Sequence, residues 1–469
     1  MNGELLDLSI AELAQLLRDR KVSPVEVTQA TLDRIAKIDP QLKSFITVTG
    51  EQAMTAARSA EGEIAAGRWR GLLHGVPIGL KDLYNTAGVV TTNGSKIFNN
   101  AVPAADAVAT AKLREAGAVI VGKNNMHEFA FGSTNENAHF GTCRNAWNPD
   151  HIPGGSSGGS GAAVAARLCF MSMGSDTGGS IRSPASLNGI VGHKPTYGLV
   201  SRRGVFPLSW SLDHAGPLTR TVRDAAITLQ AIAGHDPGDP SSSAAPIPDY
   251  SAALDGGIRG LRVGVPREYF FARASEEVEQ IARAAVGELQ RLGATIVEVS
   301  WPHIELAATA GMTIIGVEAA QAHAPWLTTR ADDYGAEIRP RIQMGALFSG
   351  AEYTRAQRIR SLIQKEFRDA MTQADVLVMP NNAVPAPRIG EKTIRVRGKE
   401  VWVMALQPSL TIPHNLTGAP ALTLPCGFAA SGLPVGLQIV GRPFDDATVL
   451  RVGHAYEQST EWHRRRPAI

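Results

Sequence analysis

Ser180 closes the run Ser175-Asp176-Thr177-Gly178-Gly179-Ser180-Ile181-Arg182, which follows the apolar segment Leu168 to Gly174 and precedes the helix start Ser183-Pro184. A strand, a glycine turn and a helix start in that order present a small hydroxyl at the end of the turn. The glycines let successive N–H groups point into one concavity, as a developing oxyanion requires. Such a hydroxyl needs a base to become a nucleophile. Lys81 ends the apolar Val76-Pro77-Ile78-Gly79-Leu80, so its amine is expected at the end of a buried strand, where desolvation favours the neutral form that accepts a proton. Taken singly, each feature is more often structural, a turn in one case and a solvated strand end in the other.

A second glycine run, Gly154-Gly155-Ser156-Ser157-Gly158-Gly159-Ser160-Gly161, precedes the helix-forming Ala162 to Leu168. A phosphate-cradling loop would end in Gly-Lys-Ser/Thr, and no lysine stands here. Gly154 to Gly158 satisfies G-x-S-x-G, but a nucleophile elbow needs a strand just before it. Asn145 to Pro153 instead carries two prolines and two asparagines. A flexible loop is the third reading, because Gly-Ser runs often serve as linkers.

Together, Gly79-Leu80-Lys81-Asp82, Gly155-Ser156-Ser157-Gly158-Gly159-Ser160 and Asp176-Thr177-Gly178-Gly179-Ser180-Ile181-Arg182 strongly resemble the amidase signature family of serine hydrolases. The likeness continues in Met126-His127-Glu128-Phe129, in Gly192-His193-Lys194-Pro195-Thr196-Tyr197-Gly198 and in Ser211-Leu212-Asp213-His214-Ala215-Gly216-Pro217. With the helical N-terminus and the C-terminal Gly432 to Gly441, it covers nearly the whole chain.

The resemblance implies that Ser180 attacks the carbonyl, that Ser156, flanked by a cis peptide, relays protons, and that Lys81 is the base. Neutral Lys81 would accept a proton from Ser156 and Ser156 one from Ser180, the same wire returning a proton to the leaving amine. Water would then hydrolyse the acyl-enzyme. The N–H groups of Thr177, Gly178, Gly179 and Ser180 would form the oxyanion hole, with Ser157, Asp176 and Arg182 as supports; Asp176 and Arg182 read equally well as an ordinary structural pair. No cofactor and no metal is expected. His127-Glu128-Phe129-Ala130-Phe131 begins like a zinc-protease helix but lacks the second histidine.

For the substrate, the resemblance offers a stand-alone amidase acting on hydrophobic or aryl amides, with esters or carbamates (urethanes) as side substrates. The alternative is the glutaminase component of a tRNA-dependent amidotransferase. That component uses an arginine for the glutamine carboxylate, matched by Arg341, and an aspartate for its amino group, where this chain has Gln407-Pro408. Trp402, Met404 and Leu406 suggest an apolar wall near the acyl pocket. A catalytically dead binding protein is the third class, weakened because all three triad positions are filled.

The elements that must position these residues form an α/β pattern. Val76 to Leu80, Ala118 to Gly122, Leu168 to Gly174, Leu261 to Val265 and Val376 to Met379 read as buried strands alternating with helices, which predicts a single α/β/α sandwich covered on both faces. Hairpins at Ala421 to Val440 and at Thr393 to Val403 make the large sheet mixed. Ser9-Ile10-Ala11-Glu12 and Ser23-Pro24-Val25-Glu26 each read as a capping box opening an amphipathic helix. Residues 1–70 are expected as an N-terminal helical layer packed on an amidase signature domain of residues 71–469. The stretch 235–250, rich in Pro, Ser and Asp, is the best linker candidate, a surface loop.

In a chain of 469 residues, Lys+Arg 46 against Asp+Glu 44 leaves no field for nucleic acid or an anionic membrane. A small-molecule amide is the expected partner, and the resemblance suggests a homodimer. Cys143, Cys169 and Cys426 show no paired spacing. The N-terminus lacks a basic region followed by an apolar core, and no apolar run approaches the roughly 20 residues of a membrane span. A cytoplasmic protein is the expectation.

Overall fold

Two short, fully buried strands, β2 (Pro77–Lys81) and β4 (Met171–Asp176), run parallel and adjacent, with Leu80 opposite Met173. Each carries an apolar run that excludes water and ends in a polar residue, so Lys81 and Asp176 arrive side by side at the carboxyl ends of neighbouring strands. Ligands in open α/β sheets bind at that edge. The computed structural model that gives this geometry describes residues 5–469; residues 1–4, the start of the expected N-terminal layer, lie outside it.

Around this pair stand β1 (Phe45–Val48), β3 (Val119–Asn124), β5 (Val191–Lys194), β6 (His214–Thr219), β7 (Arg262–Pro266), β8 (Thr295–Val299), β9 (Val376–Pro380), β12 (Ala421–Phe428) and β13 (Pro434–Val440). They form an 11-stranded mixed sheet in the order β1-β3-β2-β4-β6-β5-β12-β13-β9-β7-β8. Helices flank it: Asp446–Gln458 meets Leu422 of β12 at Gly453, and Arg182–Asn188 meets Gly436 of β13 through Ser186. β10 (Thr393–Val396) and β11 (Lys399–Trp402) form the separate hairpin expected around Gly398.

Three expectations change. Ser9 and Glu12 close a capping box on helix Ile10–Arg18, but Ser23, which caps Pro24–Leu42 through Val25 N–H, donates its hydroxyl to Glu61 rather than completing a box with Glu26. The first 70 residues are not purely helical, because β1 joins the sheet as an edge strand against β3. The stretch 235–250 is no spacer. Asp236 is bound by Arg203 and Ser201, and Asp239 by the Arg202 N–H and Ser241, which fastens the segment to the core.

Candidate active site

Lys81 Nζ lies 2.6 Å from Ser156 Oγ and 2.8 Å from Ser175 Oγ, in a wholly buried setting. Burial drives its pKa from the ordinary 10.5 down to about 7, the Asp176 and Asp213 carboxylates holding it from falling further. Near neutral pH the amine therefore exists substantially in its neutral, proton-accepting form.

Ser156 reaches that position because its loop is packed rather than mobile. Residues 152–166 are buried throughout, and a Cβ on Gly159 would stand 2.3 Å from Asn125 O and 2.6 Å from Ser44 O. The glycines there are required by close backbone approach, which removes the flexible-loop reading. No strand immediately precedes Ser156, so the elbow reading falls too. The Gly155–Ser156 peptide is cis. Ser157 fastens the loop to β4 through both backbone groups of Ser175, and its N–H donates to Ser180 O at 3.3 Å.

The turn after β4 is organised around the Asp176 carboxylate. It accepts from Gly179 N–H at 2.8 Å, from Ile181 N–H at 3.2 Å, from Arg182 Nε and Nη2, and from Asn415. Arg182, fully buried, spends its other donors on Thr411 O, Gln438 and Asn415. Burial alone would raise the Asp176 pKa, but the Arg182 guanidinium holds it far below the usual carboxylate range. Gly179 sits at φ +128°, and a Cβ there would lie 2.1 Å from Thr411 Oγ1. Asp176 and Arg182 thus brace the turn as one ion pair.

This bracing corrects one expected donor. The Gly179 N–H is committed to Asp176, so it is not directed at a substrate. The N–H groups of Thr177, Gly178 and Ser180 have no acceptor among the described residues. They are the three available to an oxyanion. Thr177 is anchored by its own hydroxyl, which donates to Asp213 Oδ1 at 2.6 Å. Ser180 is half-buried at the end of the turn, and its hydroxyl is bonded to no described residue. The structure therefore joins Lys81 to Ser156 directly and sets Ser180 beside them through the Ser157–Ser180 backbone bond.

Ser175 and Asp213 carry no signal of a role in the sequence. Both lie inside the motifs above, but only the parallel register of β2 and β4 places Ser175 at the Lys81 amine, and only the 208–213 turn places Asp213 at Thr177. His127 and Glu128 are structural: His127 Nδ1 accepts from Asn135 N–H, and Glu128 binds Ser95, His139 and Gly335 N–H. Among the described residues no group of three or more His, Cys, Asp or Glu side chains could hold a metal.

The expected substrate contacts fare differently. Arg341 Nη2 is paired with Glu337 at 2.6 Å and Nη1 with Phe131 O, so its charge is already met. Pro408 stands beside Gly178, and the neighbouring Gln407 side chain is buried against Asn382. The apolar wall does not form as a unit: Trp402 is 52% exposed, Leu406 lies in the core and Met404 receives a contact from Ser133. A cavity of about 520 Å³ opens beside Ser175 and Thr177.

A buried lysine bonded to a serine, a serine at a glycine turn and three free N–H donors define a serine hydrolase that needs no histidine. The family model described as Amidase matches residues 26–450, and the chain belongs to this amidase signature family. It is 46% identical, over 98% of its length and 99% of the relative's, to the A subunit of glutamyl-tRNA(Gln) amidotransferase from Myxococcus xanthus. Among solved structures, it superposes at TM-score 0.92 and 36% identity on a chain of a vestigial protein complex linked to the origins of an s-triazine catabolic enzyme, covering 96% of this chain and 98% of that one. A bacterial aryl acylamidase of the same family superposes at TM-score 0.89 with 27% identity, covering 98% and 99%. The chain is accordingly an enzyme of the class acting on non-peptide C–N bonds. Among the described residues no helix is long and apolar enough to cross a membrane.

Proposed function

We propose that this protein hydrolyses the C–N bond of carboxamides through an acyl-enzyme on Ser180, with Ser156 as proton relay and Lys81 as base. The observation that carries the reading is the Lys81–Ser156 contact of 2.6 Å around an amine whose burial lowers its pKa to about 7. Neutral Lys81 takes the Ser156 proton as Ser156 takes that of Ser180. The Ser180 Oγ–carbonyl bond forms, and the N–H groups of Thr177, Gly178 and Ser180 receive the oxyanion. As the C–N bond breaks, the wire returns the proton to the leaving nitrogen, and water then releases the carboxylic acid. Esters and carbamates fit the same chemistry.

On the amide itself, the names of the curated relatives favour glutamine, hydrolysed by one component of a larger cytoplasmic assembly, over a free-standing amidase or a homodimer. The second reading, hydrophobic or aryl amides, rests on a local observation. Pro408 supplies no acid for an α-ammonium, and Arg341 is already paired with Glu337. A panel of glutamine, short aliphatic amides, anilides and carbamates separates the two. Ser180→Ala is expected to reduce turnover of every active member by at least about 1,000-fold; retained hydrolysis sinks the acyl-enzyme.

A further inference from the structure

The cavity of about 520 Å³ is walled by Tyr197, Phe206, Leu208 and Trp210, with Arg202 and the segment 238–241 completing it. Which part of a substrate it serves follows from the proton wire. The leaving nitrogen must take its proton from the relay, so it departs on the side of the turn where Lys81, Ser156 and Ser175 lie. The cavity opens at Ser175 and Thr177, on that side. Pro408 and Ile412 crowd the turn at Gly178 instead, leaving that flank to the acyl part.

The chemistry of the walls narrows the amine. Asp213 accepts from Thr177 Oγ1, Leu208 N–H and Ser209 N–H, and Asp239 from Arg202 N–H and Ser241. Neither acid is left for an ammonium. Arg202 donates to Trp210 O, Tyr197 Oη and Ser241 Oγ, so its cation both ties the walls together and disfavours a second cation beside it. Ammonia would leave most of the volume unfilled. Trp210 is 62% exposed, yet its backbone is held: Glu318 binds Ser209 Oγ on one side and Ser211 N–H and Oγ on the other. An exposed indole on a fixed loop is a preorganised contact for a flat apolar ring.

We infer that this cavity receives the leaving amine and selects aromatic amines, with Trp210 and Phe206 as specificity-determining side chains. The inference rests on the Ser180 amide-hydrolase reading. In the step it describes, the C–N bond breaks, the proton originally on Ser180 reaches nitrogen through Ser156, and a neutral arylamine leaves. Water then adds to the acyl carbon and regenerates the Ser180 hydroxyl.

Butyranilide and butyramide share an acyl group and differ only in the leaving amine, which makes them the test pair, with glutamine alongside. The wild-type enzyme is expected to prefer butyranilide in kcat/KM. Trp210→Ala is expected to cut the anilide-to-amide ratio by about tenfold or more, and Trp210→Phe to recover most of it. An unchanged ratio in Trp210→Ala, or a wild-type preference for butyramide or glutamine, overturns the inference. If Ser180→Ala still abolishes that turnover, the hydrolase reading survives the failure. Hydrolysis that persists in Ser180→Ala overturns both.

Discussion

At Lys81 the lowered pKa and the catalytic assignment share one cause, because the burial that costs the ammonium its hydration also frees the lone pair that accepts a proton. The expected consequence is a kcat/KM profile with an acid limb near pH 7, falling as pH drops and Lys81 becomes protonated. A profile flat from pH 5 to 9 would remove the lysine from the mechanism. The same reasoning fixes the sign at Asp213. Its carboxylate favours the Lys81 ammonium and so raises the pKa of the amine; Asp213→Asn should move the acid limb to lower pH, whereas a purely structural loss would lower the rate without moving the limb. Lys81, Ser156 and Ser180 were legible in the sequence because glycines and apolar runs frame them. Ser175 was not, since a serine beside an aspartate carries no signal until the strand register is known.

Among the elements, β4 and the turn that follows it depend on a single ion pair. Removing one partner of a buried pair leaves a desolvated charge, so Arg182→Leu should destabilise the fold by about 3–5 kcal/mol, measured by urea unfolding. A loss below about 1 kcal/mol would mean that Asp176 is satisfied by its N–H donors alone. The buried strands β2, β4, β9, β12 and β13 were readable as apolar runs bounded by turn residues. β6 was hidden because Pro217 lies within it opposite Met173, and a proline inside an apparent central strand argues against the assignment. β5 was hidden because His193 and Lys194 look exposed in sequence, although His193 is buried against Asp446 and Lys194 donates to Ala419 O at 2.5 Å. The glycine loop at 154–161 misleads in the opposite direction, resembling a linker while being fully enclosed.

Across the whole molecule, the C-terminal helix Asp446–Gln458 docks on Val222–Ile232 through Glu457, which accepts from Val222 N–H at 2.8 Å. Burial raises the Glu457 pKa to about 8, with Asp224 adding to the shift and the Val222 N–H and Arg223 opposing it. A carboxyl whose folded pKa exceeds its unfolded value stabilises fully below the unfolded pKa and loses that contribution as pH rises through the folded one. Thermal stability should therefore decline between about pH 5 and 8 in part through this group. Glu457→Gln, which keeps the acceptor and cannot ionise, should flatten the decline; an identical pH profile would show that Glu457 is not protonated in the native state. The sheet, the helical docking and the loop 235–241 converge on one place, the half-buried Ser180 at the end of its turn. Peptide mapping of the enzyme after reaction with a fluorophosphonate reads the identity of the nucleophile without an intermediary. The predicted result is a single adduct on Ser180, lost in Lys81→Ala; an adduct on Ser156 or Ser175, or none from an enzyme that turns over amide, would contradict it.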